Sequence, residues 1–164
     1  NKMEKEIQQY EAENKTGNHI LDTILTTKSL NCQEKNIQMT CVADGKALDF
    51  LNPMDICSIF GNALDNAITS AEKVENPEKR LIHVTVSQEK SFLRIKIENS
   101  FQGELKIKNQ LPVTTKADRR YHGFGVKSMK AVAEKYKGSL TVSAKDGWFE
   151  LRILIPLPES EKII

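Results

Sequence analysis

Gly61-Asn62-Ala63-Leu64-Asp65-Asn66-Ala67 is the stretch on which the reading of this chain turns. Ala63, Leu64 and Ala67 continue a run begun by Ile56, Ile59 and Phe60 and closed by Ile68, the 3.6-residue stripe of a core-facing helix. Pro53 suits an early position of that helix, and Glu75-Asn76-Pro77 is where it is expected to end. Asn62 and Asn66 stand four apart, so both carboxamides leave this otherwise apolar helix on one side. Amides at the edge of a core cost free energy unless something satisfies them. Two partners would do so: backbone and water, or a Mg²⁺ ion that keeps several waters and is shared with substrate phosphates.

Upstream, Asn1 to about Lys15 is nearly all helix formers, with Met3, Ile7 and Tyr10 on one face, until Thr16-Gly17-Asn18 breaks the run. A second amphipathic helix follows, with Ile20, Leu21, Ile24, Leu25 and Lys28 through Leu30 extending to about Glu34. Ile37 to Val42 alternates as a half-buried strand, and Asp44-Gly45 supplies a turn. Downstream, Leu81 to Ser87 and Phe92 to Asn99 alternate at period two around a Gln88-Glu89-Lys90-Ser91 loop. From Ser100 to His122 the chain is polar and without period, a long loop of the kind that usually carries function or disorder. Gly123-Phe124-Gly125 then opens a helix to about Lys137, which Gly138 is expected to cap. Strands over Ser139–Ala144 and Trp148–Pro156 flank an Asp146-Gly147 turn. This order of elements gives an α/β (α+β) two-layer sandwich, a mixed sheet of about five strands with helices on one face. The open face would lie against the N-terminal helix or a partner.

Bulk properties narrow the function. With 164 residues the chain holds one domain of ordinary size: a helical end over 1–16, a domain over 17–157 and a tail over 158–164. Because it begins inside a helical run, it reads as a piece of something longer. Its 24 Lys and Arg against 22 Asp and Glu leave +2, with no basic face of the kind that nucleic acid selects. No run is apolar enough to span a bilayer, and no signal peptide is visible. Cys32, Cys41 and Cys57 are odd in number and widely spaced, which fits packing residues in a reducing compartment rather than a disulfide framework or a zinc site.

A second element carries chemistry: His122-Gly123-Phe124-Gly125-Val126-Lys127 at the start of a helix. Glycines let a backbone come close to a ligand, and the free N–H groups and dipole of a helix N-terminus favour an anion such as phosphate. The same glycines would also serve a helix entry that needs unusual backbone angles.

Together, the paired asparagines, the long loop and the Gly-x-Gly helix start resemble the Bergerat ATP-binding fold of histidine kinases, gyrase-type ATPases and Hsp90 chaperones. The likeness runs from about Gly17 to Pro156. Within that superfamily Thr16-Gly17-Asn18, Leu21-Asp22, Asn62 to Ala67 and His122 to Val126 resemble the sensor kinases of Gram-positive peptide quorum sensing. The resemblance implies that Asn66 binds Mg²⁺ and that Asn62 takes the place of the glutamate that activates water in gyrase-type enzymes. An amide cannot be that base, which favours phosphoryl transfer over hydrolysis. Gly123 and Gly125, with His122 and Val126 beside them, are implied to meet the ATP phosphates, and Lys116 to neutralise them where Thr69 replaces a common basic residue. The first glycine box is altered to Asn99-Ser100-Phe101-Gln102-Gly103; Asn99 is implied to contact adenine, while Phe101 in place of glycine changes the backbone path.

None of His19, His83 and His122 resembles a phosphoacceptor, which the family carries on an upstream helix. The partners implied are therefore ATP, a phosphoacceptor histidine domain of the same protein and a response regulator, in a membrane-anchored bacterial homodimer with this domain in the cytoplasm. Two alternatives stay open: a serine kinase of the anti-sigma-factor kind, and a pseudokinase that only docks on a regulator.

Overall fold

Asn18 begins the first core helix by chemistry the sequence allows but does not announce. In the computed structural model, which describes residues 2–5, 15–103, 107–108, 111–112 and 122–159, its side chain accepts the Leu21 N–H at 2.9 Å. Helix α1 (His19–Glu34) then buries Leu21, Leu25, Thr26, Ser29 and Cys32. It ends in a Schellman motif: Ile37 N–H donates to Cys32 O at 2.8 Å and Asn36, at φ 56°, donates to Gln33 O at 3.2 Å. Residues 2–5 are helical, as expected, and the rest of the anticipated Asn1–Lys15 helix lies mostly outside the described residues.

Helix α2 (Pro53–Ala71) is capped by Asn52, which accepts the Met54 N–H at 2.8 Å, with Pro53 in the first turn where its missing N–H costs nothing. Ile56, Ile59, Phe60, Ala63, Leu64, Ala67 and Ile68 all face the core, as the periodicity requires. The helix stops at Ala71, a turn short of Glu75. Its end tightens through Lys73 N–H to Ser70 O (3.3 Å) and Val74 N–H to Ala71 O (3.1 Å), which turns Val74 inward to 6% exposure.

Five strands form one sheet in the order β1-β2-β3-β7-β6: β1 (Gln38–Ala43), β2 (Leu81–Glu89), β3 (Phe92–Ser100), β6 (Ser139–Lys145) and β7 (Trp148–Pro156). β1 and β2 are parallel, with α2 in the crossover, and every other pairing is antiparallel. Asp146 (φ 54°) and Gly147 (φ 79°) make the two-residue β6–β7 turn that an Asp-Gly pair favours. The β2–β3 turn is tighter than the expected four-residue loop: Glu89 pairs with Phe92, and Lys90 takes φ 55°. Within the stretch read as a structureless loop, β4 (Ile107–Lys108) pairs with β5 (Leu111–Pro112).

Leu93, Ile95 and Ile97 of β3 and Leu151, Ile153 and Ile155 of β7 are buried under the helices, so one sheet face carries the core. The other face is polar. Lys96 pairs with Glu98 at 3.1 Å, Arg152 with Glu150 at 3.2 Å, and the His83 ring lies 5.2 Å from that of Trp148. The architecture is the two-layer α/β sandwich expected from the order of elements.

Helix α3 (His122–Lys135) buries Val126, Met129 and Ala133. Its cap differs from expectation. Lys137, at φ 64°, is the left-handed residue, while Gly138 N–H reaches back to Ala133 O at 2.7 Å. Gly138 is needed for space instead, because a Cβ there would stand 2.2 Å from Leu154 O. The cysteines also divide. Burial raises the thiol pKa of Cys32 and of Cys41 to about 11, consistent with packing, whereas Cys57 is exposed.

Candidate functional site

Asn62 and Asn66 lie one turn apart on α2, both half-buried at the edge of the core, as their spacing requires. Asn62 donates through Nδ2 to the Ser58 carbonyl at 2.7 Å, which fixes the plane of its carboxamide. That carboxamide meets Gly125 of α3. A Cβ built on Gly125 would stand 3.2 Å from Asn62 Oδ1 and 3.5 Å from its Cβ and Cγ, so the buried glycine leaves just the room that the amide occupies. Two motifs some sixty residues apart in sequence are thereby brought into contact, and the N-terminus of α3, whose first-turn N–H groups have no partner within the helix, is placed beside the asparagine helix. Asp65, between the two asparagines, faces away and forms an ion pair with Lys28 of α1.

His122 and Gly123 form the first turn of α3. Val126 is 3% exposed and belongs to the core, so its backbone rather than its side chain is what a ligand would meet. Lys116 lies outside the described residues.

Asn99, the next-to-last residue of β3, lies on the face covered by the helices, paired with Ile82 on one side and Phe149 on the other, and is only 2% exposed. Its Nδ2 donates to Ser100 O at 2.9 Å. A buried carboxamide at the end of a central strand, under the asparagine helix, is a strong polar investment in an apolar layer. The altered first glycine box is stitched down rather than open. Ser100 Oγ donates to Lys79 O at 2.6 Å and accepts from Leu81 N–H, Phe101 N–H donates to Gly147 O at 2.9 Å, and Gln102 Oε1 accepts from Glu75 N–H. Gly103 takes φ 95° with open space around it. Phe101 thus follows the neighbouring strand where the family pattern has a glycine.

Thr16-Gly17-Asn18 and Asp22, singled out in the sequence, clamp the entry of the domain. Thr16 donates to Asp22 Oδ1 through N–H (2.9 Å) and Oγ1 (2.7 Å), Gly45 N–H donates to Thr16 O, and Asn18 Nδ2 donates to Asp49 at 2.9 Å. Gly45 must be glycine here, since a Cβ would stand 2.3 Å from Thr16 Oγ1. Asp49 and Gly45 carried no sequence signal for this role, because their partners are distant in the chain.

The family model described as the GHKL domain matches residues 51–156, from the start of α2 to the end of β7. The chain belongs to the GHKL family. Among curated proteins this GHKL domain is similar to a "Probable C4-dicarboxylate sensor kinase" of Halalkalibacterium halodurans, 23% identical over 137 residues, 80% of this chain and 26% of that protein. The domain thus spans about a quarter of that relative. Among solved structures it resembles the nucleotide-free catalytic domain of histidine kinase ThkA, with TM-score 0.63 and 18% identity over 85% of this chain and 93% of that one. It also resembles the Acinetobacter baumannii histidine kinase AdeS, with TM-score 0.58 and 13% identity over 85% and 64%. Full-length ShkA in complex with AMPPNP matches with TM-score 0.61 and 16% identity, over 84% and 29%. The fold of this GHKL domain is that of histidine kinase catalytic domains, with the expected helices on one face of the expected sheet.

Proposed function

We propose that this domain binds ATP with Mg²⁺ and transfers the γ-phosphoryl group to a histidine of an upstream helical domain, for relay to a response regulator. The observation that carries the reading is the contact between Gly125 and Asn62, which sets a glycine-rich helix start against the asparagine helix in a GHKL fold. The ShkA complex with AMPPNP supports a nucleotide as the ligand for this fold. In this reading Asn99 takes the adenine, and Gly123, Gly125 and the backbone at His122 and Val126 receive the phosphates, with Lys116 closing on them from the loop. Asn66 presents its carboxamide oxygen to Mg²⁺, a hard cation that prefers oxygen ligands and is usually held jointly with phosphates. Bound there, the ion would neutralise charge on the phosphate oxygens.

Asn62 gives the reading its chemistry. Its amide is neutral, cannot take a proton from water, and is already fixed by Ser58. The site therefore positions a phosphoryl group without activating water, which suits transfer: the bond to the ADP oxygen breaks, a bond to an imidazole nitrogen forms, and the imidazole proton leaves. The acceptor, the regulator and membrane anchoring of a homodimer belong to the whole protein. Among the described residues no helix is long and apolar enough to cross a membrane. In the proposed reading residues 17–157 are the cytoplasmic catalytic domain and 1–16 the end of the upstream helical region. The narrower likeness to quorum-sensing kinases rests on the quoted motifs alone.

Calorimetric titration with a non-hydrolysable ATP analogue, with and without Mg²⁺, tests the reading. Saturable binding that Mg²⁺ strengthens is expected, and Asn66→Ala should abolish the magnesium-dependent part while the fold stays intact. Unchanged binding in Asn66→Ala would count against the site, and no binding by the parent chain at millimolar nucleotide would favour a docking module.

A further inference from the structure

The two helices that meet at Asn62 and Gly125 are fastened at their other ends by a cluster with no part in the proposed chemistry. Asp55, in the first turn of α2 and 8% exposed, accepts at a single oxygen, Oδ2, from Lys135 Nζ (2.7 Å) and from the Tyr136 hydroxyl. The same hydroxyl accepts the Asn52 N–H at 3.0 Å. In a capping box the acidic residue three positions after the N-cap reaches back to the N-cap amide directly. Here Tyr136, from just beyond the end of α3, is inserted between the two, so the N-cap of α2 is completed by a residue of another helix. Lys135 also lies 5.3 Å from the Tyr136 ring centroid, and Phe50 packs edge-on against that ring at 6.2 Å. Each charge suits its helix end, an acid at the N-terminus of α2 and a base at the C-terminus of α3.

From that end the two helices run antiparallel. Asp55 meets Lys135 and Tyr136, Ser58 Oγ lies 3.3 Å from Ser128 Oγ, and Asn62 meets Gly125. Among its described side chains α3 buries Val126, Met129 and Ala133, whose apolar contact is non-directional and fixes axial position poorly. Directional bonds at one end of a stiff rod fix the other end, here about 15 Å away at 1.5 Å rise per residue.

We propose that Asp55, Lys135 and Tyr136 are positioning residues for the nucleotide site: they set the axial register of α3 on α2 and so hold the Gly123–Gly125 turn against Asn62. This inference rests on the proposed reading of that turn as the phosphate end of a nucleotide site. The test uses the 164-residue chain with Tyr136→Phe, Asp55→Asn and Lys135→Met. Hydrogen exchange is followed at the amides of residues 125–129 without nucleotide, and the Mg²⁺ complex of a non-hydrolysable ATP analogue is titrated. Tyr136→Phe should melt as a folded protein, exchange faster at residues 125–129 and bind the analogue about three- to tenfold more weakly, the size of a contact network's coupling. Asp55→Asn keeps an acceptor for the hydroxyl and should fall between Tyr136→Phe and the parent. Lys135→Met should be mildest, since Lys135 is 58% exposed.

A merely structural cluster would lower the melting temperature and loosen only the C-terminal end of α3, with exchange at 125–129 and affinity unchanged; that result overturns the proposal. Failure of the parent chain to bind nucleotide would remove the site reading. The exchange measurement needs no ligand and then decides the register by itself, unchanged protection at 125–129 being the refuting outcome.

Discussion

Replacing Gly125 by alanine separates what the glycine does for the fold from what it does for a ligand. The added methyl would stand 3.2 Å from Asn62 Oδ1, closer than side chains normally pack, so the carboxamide must yield by a few tenths of an ångström. It is held by the 2.7 Å bond from its Nδ2 to Ser58 O, and weakening that bond costs about 0.5–1.5 kcal/mol. Against this, alanine in a helix is better than glycine by roughly 0.5–1 kcal/mol. The two effects nearly cancel, and the melting temperature of a chain this size should move by no more than about 2–4 °C. Nucleotide binding has no such compensation. A methyl at the buried meeting point of α2 and α3 displaces the amide and moves the helix start that is proposed to receive phosphate, so affinity should fall about tenfold or more, some 1.4 kcal/mol. Gly61→Ala, one residue before Asn62 on the same helix, is the control. Its Cβ would meet nothing within 4 Å, so it should stabilise the chain by roughly 0.5–1 kcal/mol and leave binding as it was. Thermal melting and calorimetric titration of both variants give the answer. Unchanged affinity in a natively folded Gly125→Ala protein would refute the argument that this contact shapes a ligand site.

Two further outcomes follow from the packing and the charges. Gly138→Ala should cost about 1–3 kcal/mol or more and lower the melting temperature, because its Cβ would stand 2.2 Å from Leu154 O and 3.0 Å from Ile155 Cα, backbone that can move only with strand β7; a thermal melt that matches the parent would contradict this. The bond from Lys135, and then that from Tyr136, holds the Asp55 carboxyl below its ordinary range. With a lowered folded pKa, its stabilisation is full above the unfolded value of about 3.9 and is lost as pH falls through the folded one. Because Lys135 is largely exposed, that stabilisation should be modest, and the stability gap between parent and Asp55→Asn should hold above about pH 5 and close as the pH falls toward about 3. A gap that widens in acid would reverse the sign of the argument. At the alkaline end, burial and then Asp55 raise the Tyr136 hydroxyl, so its contribution persists below the ordinary tyrosine value and is lost as pH rises through the folded one.

Local signals in the sequence were enough for the elements, because each is set by neighbours a few residues away. The stripe through α2 follows from a helical period that the core enforces, and the Asp146-Gly147 turn follows from the left-handed angles that its two residues tolerate. Gly138 shows where such reasoning stops. Glycine after a helix has two physical uses, a positive φ or a missing Cβ, and only the position of strand β7 shows that here the second applies while Lys137 takes the strained angle. The β2–β3 turn shows the same limit, since pairing of Glu89 with Phe92 depends on register across the sheet. Of the site, the spacing of Asn62 and Asn66 was legible and the contact of Asn62 with Gly125 was not, because that contact is made by two elements far apart in the chain. Asp55 and Tyr136 had no signal at all: an acid in a first turn and an aromatic after a helix are each commonplace until the fold joins them.

Each part of the site is therefore held by a different kind of force, and this bears on how it would respond to change. Asn99 is fixed by strand pairing on both sides, with Ile82 and Phe149, and by burial under the helices, so it can move only with the central sheet. Asn62 and Asn66 are fixed by the broad apolar face of α2, which packs along the whole of its length. Among its described residues α3 is held by the buried Gly125, Val126, Met129 and Ala133 together with directional bonds at Ser58 and Asp55. If a nucleotide lies across these elements, its adenine end meets the central sheet and its phosphate end meets a helix tied to α2 by polar bonds. Binding-linked motion should then be concentrated at the start of α3, and the polar bonds between α2 and α3 decide how far that helix is free to move.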